Sequence, residues 1–464
     1  MNKRKLFQNF LFYLLAGLLI FIPLYPKFPF LNVTGTYVAI RLEDFFIAVV
    51  INLWFLYILV YERELFKNFY FQVFLLFWFT GIVSLLSAMF ITDSIVAHLG
   101  FLHWARRVEL MVIFWIAATC ITSKQQIKFL LWVFILVTSI VVFYGFGQLF
   151  LGFKVISTVD KDFSTGILST LSSEGRVNST FAGHYDLSIY LSYFLIVMSG
   201  LFFNVNKIWR KTGIILIGVL CIILLGYAAS RISFLATIVG MLLVLFLLKK
   251  RAMIVGLIIF SIIVSMIVPQ LRERILATIN VSILKKVEKS YVPQNEKIIG
   301  GAPDEEIAKQ KAKQGLPRDI SAGESTDYTE LEVGRSISIR LTDEWPRAIH
   351  AWYKNPLLGT GYSSISLATD NDYLRSLGET GIVGFVALMF IFFVLLRDFV
   401  HRLSANDFLT KLLFVISIAI VFDVAITALF IDVLEASKAA SLFWLLAGTA
   451  WSQSKYNKLN RKIL

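Results

Sequence analysis

Three arginines of the sequence stand close to long apolar runs, where a guanidinium group is expensive unless it binds something. Arg176 lies shortly before one run, Arg231 lies between two runs in Tyr-Ala-Ala-Ser-Arg-Ile-Ser, and Arg340 begins a polar segment rich in Trp. Guanidinium groups bind phosphate through charge-assisted, bidentate hydrogen bonds. The three residues therefore indicate an anion-binding site at a membrane surface, although a snorkelling anchor at a helix end is the plainer interpretation of Arg231.

Two further side chains could orient or deprotonate a hydroxyl group beside such an anion. His184 stands at the start of the apolar run that follows Arg176, and Asp370 opens the polar sequence Asp-Asn-Asp-Tyr-Leu. A general base must lie within hydrogen-bond reach of the proton that it accepts. A helix cap or an interfacial residue is the alternative interpretation of each. The scattered histidines and the two cysteines, both inside apolar runs, predict neither a metal site nor a disulfide.

The elements that must position these residues are membrane helices. Hydrophobic residues make up 57% of the 464 residues and charged residues only 16%, with a mean hydropathy of +0.74. A soluble chain averages about 45–50% apolar and about 25% charged residues, so a single water-soluble core, a DNA-binding module and a fibrous protein are excluded. We predict twelve spans, at 8–26, 42–60, 69–91, 108–121, 129–151, 182–203, 212–229, 232–248, 252–268, 380–396, 408–430 and 437–451.

The lysines and arginines predict the orientation of these spans. Each of the segments assigned to the inner side carries at least two Lys or Arg; these segments are 1–5, 61–68, 122–128, 204–211, 249–251, 397–411 and 453–464. By the positive-inside rule both termini are cytoplasmic. The net charge of +13 is then largely a consequence of topology, and its partners are anionic headgroups of the lipid bilayer and no nucleic acid.

The predicted spans divide the chain into three parts. Residues 1–268 form a bundle of nine spans, 269–379 an extracytoplasmic loop domain, and 380–464 three spans with a cytoplasmic tail. Within the loop, 285–334 is rich in Glu, Lys, Gln and Gly and is predicted to be partly disordered. The sequence 335–384 mixes Trp, Tyr, Pro and Gly and is predicted to be ordered.

Four motifs follow one another along residues 170–385. In chain order they are Arg176 before a Phe-containing loop that enters a helix, Ser230-Arg231 at the outer start of a helix, Arg340 and Trp345 followed by Asn-Pro-Leu-Leu-Gly-x-Gly at 355–361, and Asp-Asn-x-Tyr-Leu at 370–374 followed by Glu379-x-Gly. This order resembles that of the O-antigen ligase/polymerase superfamily, membrane glycosyltransferases that act on polyprenyl-pyrophosphate-linked glycans. Ligases of the superfamily typically carry His where this chain has Asp370, a difference that favours a polymerase.

The resemblance implies a fold and an activity. The fold is an all-α integral membrane protein, GT-C-like, with about twelve transmembrane helices and a large extracytoplasmic loop before the last three. The activity is polymerisation or transfer of polyprenyl-pyrophosphate-linked oligosaccharide at the outer face of the bacterial cytoplasmic (inner) membrane, as an O-antigen or exopolysaccharide polymerase. The alternative is an O-antigen ligase with a lipid or protein acceptor. The resemblance further implies a metal-independent, inverting single displacement without a cofactor, with a glycan acceptor and with a chain-length regulator or a flippase as further partners.

The resemblance also assigns roles to residues. Three arginines, Arg176, Arg231 and Arg340, are assigned to bind the diphosphate of the donor. They also stabilise the negative charge that grows on the diphosphate as it leaves. Asp370 is the first choice for the base that meets the acceptor hydroxyl, and His184 is the second. Asn371 and Tyr373, in the same motif as Asp370, are assigned to substrate binding.

Two other classes of protein remain compatible with the sequence. A transporter or lipid flippase would be polytopic with charged residues along a path through the membrane, and only Glu109, near a span end, and Asp423, well inside 408–430, fit this description. A scaffold protein for envelope assembly would not need three outer arginines.

Overall fold

The computed structural model of the chain describes residues 3–460, apart from 27, 32, 34–39, 157–167, 172–174, 281–338 and 366–368. This part of the chain is almost entirely helical. Its helices are α1 (Lys3–Leu24), α2 (Leu42–Tyr61), α3 (Phe69–Phe90), α4 (Ala97–Cys120), α5 (Lys124–Phe150), α6 (His184–Leu201), α7 (Ile208–Ala228), α8 (Arg231–Leu247), α9 (Arg251–Ile267), α10 (Pro269–Asn280), α11 (Trp345–Lys354), α12 (Asp372–His401), α13 (Phe408–Thr427) and α14 (Ser437–Asn460). The predicted disorder at 285–334 falls outside the described residues.

Short strands and irregular turns complete the described part. Strands β1 (Pro29–Leu31) and β2 (Ile40–Arg41) form one antiparallel pair, and β3 (Lys154–Ile156) and β4 (Leu168–Thr170) form another. A single π-helical turn, Arg340–Glu344, leads directly into α11. Such turns are rare and occur frequently at functional sites.

Eight of the described helices are long and apolar enough to cross a membrane, namely α1, α2, α3, α5, α6, α7, α12 and α13. The pair α9 and α10, bent by 94° at Pro269, makes a ninth if it counts as one span. The chain is therefore an all-α, multi-pass membrane protein, as the composition predicts.

The predicted count of twelve spans is higher than this number, although every predicted span coincides with a helix. Helix α8 has only 17 residues, α14 mixes small and polar residues into its apolar sequence, and α4 carries Arg106, Arg107 and Glu109 near its middle. The C-terminal half of α4 is buried in the protein, where it packs against α14. Aromatic rings from α3, α4 and α14 meet there, including Trp115 with Trp451 at 5.5 Å between ring centroids. A helix that is buried inside the bundle can therefore be less apolar than a span that faces lipid.

Helix α12 is broken near its N-terminus, and the Asn-Pro-Leu-Leu-Gly-x-Gly motif packs against the break. Gly381, inside α12, has φ 64° and ψ −172°. The motif docks on this break, since Gly361 N–H donates to Glu379 O at 2.8 Å and Ile382 N–H donates to Pro356 O at 2.9 Å. A Cβ on Gly359 or Gly381 would lie within 2.4 Å of the opposing backbone. Both positions therefore require glycine for close approach as well as for positive φ.

Candidate functional site

Four arginines from four separate segments line one pocket at one end of the helical bundle. They are the three predicted arginines together with a fourth that the sequence reasoning missed: Arg176 from the loop after β4, Arg231 at the start of α8, Arg274 on α10 and Arg340 in the π-helical turn. Tyr185, Ser230 and Phe430 complete much of the wall. Among the described residues that line this pocket, none is acidic. Four converging guanidinium groups in a partly buried site favour an anionic ligand with several oxygens.

Arg274 could have been found from the sequence by the criterion that selected the other three. It follows an apolar run on the predicted outer side, in Leu-Arg-Glu-Arg-Ile-Leu. The sharp bend after α9 turns α10 back towards α7, so that Arg274 reaches the pocket. The sequence does not predict that bend, because Pro269 is equally compatible with the end of a helix and with a loop.

Asp370 forms an ion pair with Arg340 at the edge of the pocket. Its Oδ2 accepts from Arg340 Nη2 at 2.5 Å and from Arg340 Nε at 3.1 Å. The backbone of Asp370 is left-handed, with φ 49°, a conformation that carries strain in residues other than glycine and often occurs at functional sites. Burial raises the pKa of the Asp370 carboxyl above its usual range, and the Arg340 guanidinium counteracts part of this rise. The carboxylate is therefore engaged with a pocket arginine.

His184 is engaged in the same way with a different pocket arginine. Its Nε2 lies 2.6 Å from Arg176 Nη1, and because a guanidinium only donates, Nε2 is the acceptor and Nδ1 carries the proton. The ring also packs against that of Tyr185, which lines the pocket, with 4.1 Å between the ring centroids and a tilt of 42° between the ring planes. Both sequence-predicted bases thus contact arginines of the pocket, at two different places on its edge.

Asn371 and Tyr373 make hydrogen bonds within the protein and are not among the residues that line the arginine pocket. Asn371 Oδ1 caps α12 by accepting from Leu374 N–H at 3.0 Å, and its Nδ2 donates to Leu429 O at 3.1 Å. The Tyr373 hydroxyl donates to Ala425 O at 2.9 Å. These bonds fasten the start of α12 to the end of α13, so the side chains position Asp370. Their predicted contact with substrate stays a prediction.

Asp432 is the residue that holds the Asp370 loop from both sides. Its carboxylate accepts from Thr369 N–H at 2.9 Å and from Asn371 N–H at 3.1 Å, on either side of Asp370. It also accepts from Arg375 Nη1 at 2.8 Å, an arginine buried on α12. This anchor lies about 60 residues away in the chain, and no local pattern in the sequence reveals such a pairing.

Lys438 anchors the loop that carries Arg176 and His184, as Asp432 anchors the Asp370 loop. It is buried, and its Nζ donates to Tyr25 O at 2.7 Å and to Thr180 O at 3.1 Å. The same ammonium group lies 4.7 Å from the ring centroid of Phe181. A buried lysine thereby ties the end of α1 and the Arg176–His184 loop to α14, which fixes two of the pocket's basic groups against the bundle.

Residues 216–389 match the protein-family model described as O-antigen ligase. The match includes Arg231, Arg274, Arg340 and Asp370, while Arg176 and His184 precede it. It confirms the predicted relationship to the O-antigen ligase/polymerase superfamily, and with the apolar helices it indicates a membrane enzyme that processes O-antigen-type glycan on a lipid carrier. No curated protein matches the chain.

Proposed function

We propose that the chain polymerises polyprenyl-pyrophosphate-linked oligosaccharide repeats at the outer face of the cytoplasmic membrane. The observation that carries this proposal is the pocket of Arg176, Arg231, Arg274 and Arg340, at the outer end of a bundle of apolar helices. A diphosphate anchored to a lipid presents its charge at that depth. Four guanidinium groups suit its oxygens, and they suit the leaving diphosphate even better because its charge grows during the reaction.

The proposed reaction is a single displacement. The oxygen of the acceptor hydroxyl forms a bond with the anomeric carbon of the donor sugar as the bond from that carbon to the diphosphate oxygen breaks. The configuration at the carbon is inverted, and the diphosphate leaves with the electron pair. The arginines neutralise this charge, so the residues of the pocket supply the electrostatic stabilisation that such a step requires. Asp370 orients the Arg340 guanidinium towards the pocket. When the donor binds, oxygens of its diphosphate accept hydrogen bonds from the same guanidinium.

A groove beside the pocket supports the proposal that the donor is linked to a lipid. A largely apolar cavity of about 190 Å³ lies between α12 and α13, lined by Met389, Phe392 and Phe422 among others. Ala428 lines this groove and Phe430 lines the arginine pocket, so the groove and the pocket adjoin across a few residues of chain. An isoprenoid chain beginning at a diphosphate in the pocket has an apolar path beside it.

The choice of a polymerase over a ligase rests on Asp370. The ligase branch typically carries His at this point of the motif, so transfer to a lipid or protein acceptor is the alternative. The transport hypothesis has less support, because Asp423 Oδ1 accepts from Ser192 Oγ at 2.6 Å and is fully buried between helices. That bond fits a structural role, which is as common as a functional one for an acidic residue held by a helical neighbour.

We also propose the finer topology: a GT-C-like fold with twelve spans, both termini in the cytoplasm, and 269–379 outside. We expect a membrane-impermeant thiol reagent to label Glu305→Cys in intact cells and to leave Lys250→Cys unlabelled until the membrane is opened. The natural Cys120 and Cys221 are buried and serve as the background control. Labelling of the Lys250→Cys protein alone in intact cells would reverse the orientation.

Deletion of the gene, followed by analysis of lipid-linked glycans, tests the function. A polymerase predicts loss of long glycan and accumulation of single repeats on the polyprenyl diphosphate, exposed on the outer face. A ligase instead predicts long glycan retained on the polyprenyl diphosphate, and a transporter predicts single repeats trapped inside. Unchanged glycans and lipid intermediates contradict all three, and complementation with the wild-type chain controls for effects on neighbouring genes.

A further inference from the structure

The reaction proposed above releases a proton, and both bases predicted from the sequence are engaged with arginines. Asp370 accepts two hydrogen bonds from Arg340, and His184 Nε2 accepts one from Arg176. The positive charge of a guanidinium favours the deprotonated form of an acid and repels the protonated form of a base, so Arg340 offsets part of the rise that burial causes in the pKa of Asp370. These contacts suit groups that orient arginines, and they leave the proton of the acceptor hydroxyl to another residue.

Glu344 lies next to this cluster and is not engaged in the same way. It ends the π-helical turn that Arg340 begins, four residues on, so the two side chains lie on neighbouring positions of one face. Its Oε2 is buried and has no hydrogen-bond partner among the described residues. The charged groups that face it are Asp370, Arg340, Asp432 and Arg347.

The surroundings of Glu344 also tune its acidity. Burial and, to a smaller extent, the nearby Asp370 carboxylate raise the pKa of the Glu344 carboxyl, Arg340 and Arg347 oppose them, and the net pKa is about 8. A catalytic base works best with a pKa near the operating pH. Two neighbouring carboxyl groups with different affinities for protons commonly divide the roles between them, one staying charged and the other exchanging a proton.

We propose that Glu344 is the general base that accepts the proton of the acceptor hydroxyl, while Asp370 stays ionised and orients Arg340. This inference rests on the proposed glycosyl transfer. As the acceptor oxygen bonds to the anomeric carbon, its proton passes to a carboxylate oxygen of Glu344, and the donor diphosphate departs as an anion towards the arginines. Deprotonation of Glu344 by solvent then restores the base. The acceptor glycan accordingly binds on the Glu344 side of the Arg340–Asp370 pair, and the donor diphosphate on the pocket side.

Glu344→Gln tests this role, because it removes the base and keeps the size of the side chain. The matched control is Asp343→Asn, the adjacent carboxylate in the same turn, which accepts a hydrogen bond from the Thr342 hydroxyl. Each protein is reconstituted in proteoliposomes with polyprenyl-diphosphate-linked repeats, and the initial rate of glycan extension is measured from pH 6 to 9.5. The donor KM is measured at pH 8.

The wild-type rate is expected to rise with pH and to level off above about pH 8, because only the deprotonated carboxylate accepts a proton. Glu344→Gln should lower the rate at pH 8 by about 10²–10⁴ and abolish the rise with pH, while the donor KM stays within about twofold. Asp343→Asn should behave as the wild type does. Glu344→Asp, which keeps a carboxylate, should retain the rise with pH at a reduced rate, and it replaces Glu344→Gln if that variant does not fold.

Two results from the Glu344→Gln protein overturn the role of Glu344. One is a normal rate in Glu344→Gln, and the other is a reduced rate that still rises with pH as the wild type does. Equal losses in Asp343→Asn would also overturn it, since they would trace the effect to the turn rather than to the base. A wild-type protein that transfers no glycan overturns the proposed function itself, whereas transfer by the wild type together with any of these three results overturns only this role.

Discussion

We expect Arg340→Gln to lower the rate of glycan extension by about 10²–10³, the range for loss of one preorganised donor to a developing negative charge. Arg340 reaches the pocket from the π-helical turn, and its guanidinium is oriented by Asp370. Glutamine keeps a donor but loses the charge and the forked geometry. Arg340→Lys keeps the charge and should fall between glutamine and the wild type, because an ammonium group cannot make the same bidentate bonds. Initial rates on matched amounts of folded protein measure both effects.

The control for this prediction is an arginine at the opposite end of the bundle. Arg63→Gln changes a guanidinium that lies between α2 and α3, remote in the chain from every pocket segment, and should leave the rate within about twofold of the wild type, since surface substitutions rarely exceed about 0.5 kcal/mol. Thermal unfolding in detergent excludes a loss of fold. An Arg340→Gln protein that is folded and fully active would remove this arginine from the reaction.

Asp370→Asn separates orientation of an arginine from base catalysis. As an orienting group, Asp370 accepts two charge-assisted hydrogen bonds from Arg340, and hydrogen bonds to charged groups contribute about 1.5–3 kcal/mol. We expect the donor KM to rise and the catalytic efficiency to fall by about 10–100-fold, with the rise of rate with pH retained. A general base predicts instead a fall of about 10²–10⁴ in kcat at unchanged donor KM, with loss of the pH dependence.

Asp93→Asn is the matched control for Asp370→Asn. Asp93 is exposed between α3 and α4 and also has a left-handed backbone, with φ 45°, so it reports what the change from Asp to Asn does in that conformation. It should leave donor KM and kcat unchanged. If Asp370→Asn reduces kcat alone and flattens the pH profile, the base is Asp370 and Glu344 loses its assignment.

Local sequence was sufficient for the helices and for three of the four pocket arginines. Each of the three stands beside an apolar run or in a motif, and a charge in such a place needs a physical reason. Arg274 satisfied the same criterion, but its approach to the pocket depends on the 94° bend between α9 and α10. The predicted span at 108–121 coincides with α4, whose charged middle and buried C-terminal half do not resemble a lipid-facing span.

The partners of the site residues could not be read from the sequence, because they come from distant parts of the chain. Asp432 holds the Asp370 loop, and Lys438 ties the Arg176–His184 loop to α14 from 258 residues away. The Asp-Asn-x-Tyr-Leu motif predicts substrate contacts for Asn371, which stay a prediction, and it does not reveal that this side chain also caps α12 and donates to Leu429 O. A polar motif before a helix has the same composition whether it caps the helix or binds a ligand.

The central claim is that the arginine pocket binds the diphosphate of a lipid-linked donor. An experimental structure of the full chain in lipid nanodiscs with a polyprenyl diphosphate tests it most directly. We expect diphosphate oxygens within hydrogen-bond distance of Arg231, Arg274 and Arg340, with the first isoprene units entering the groove between α12 and α13. A diphosphate bound elsewhere while the four guanidinium groups stay turned away from it would contradict the claim.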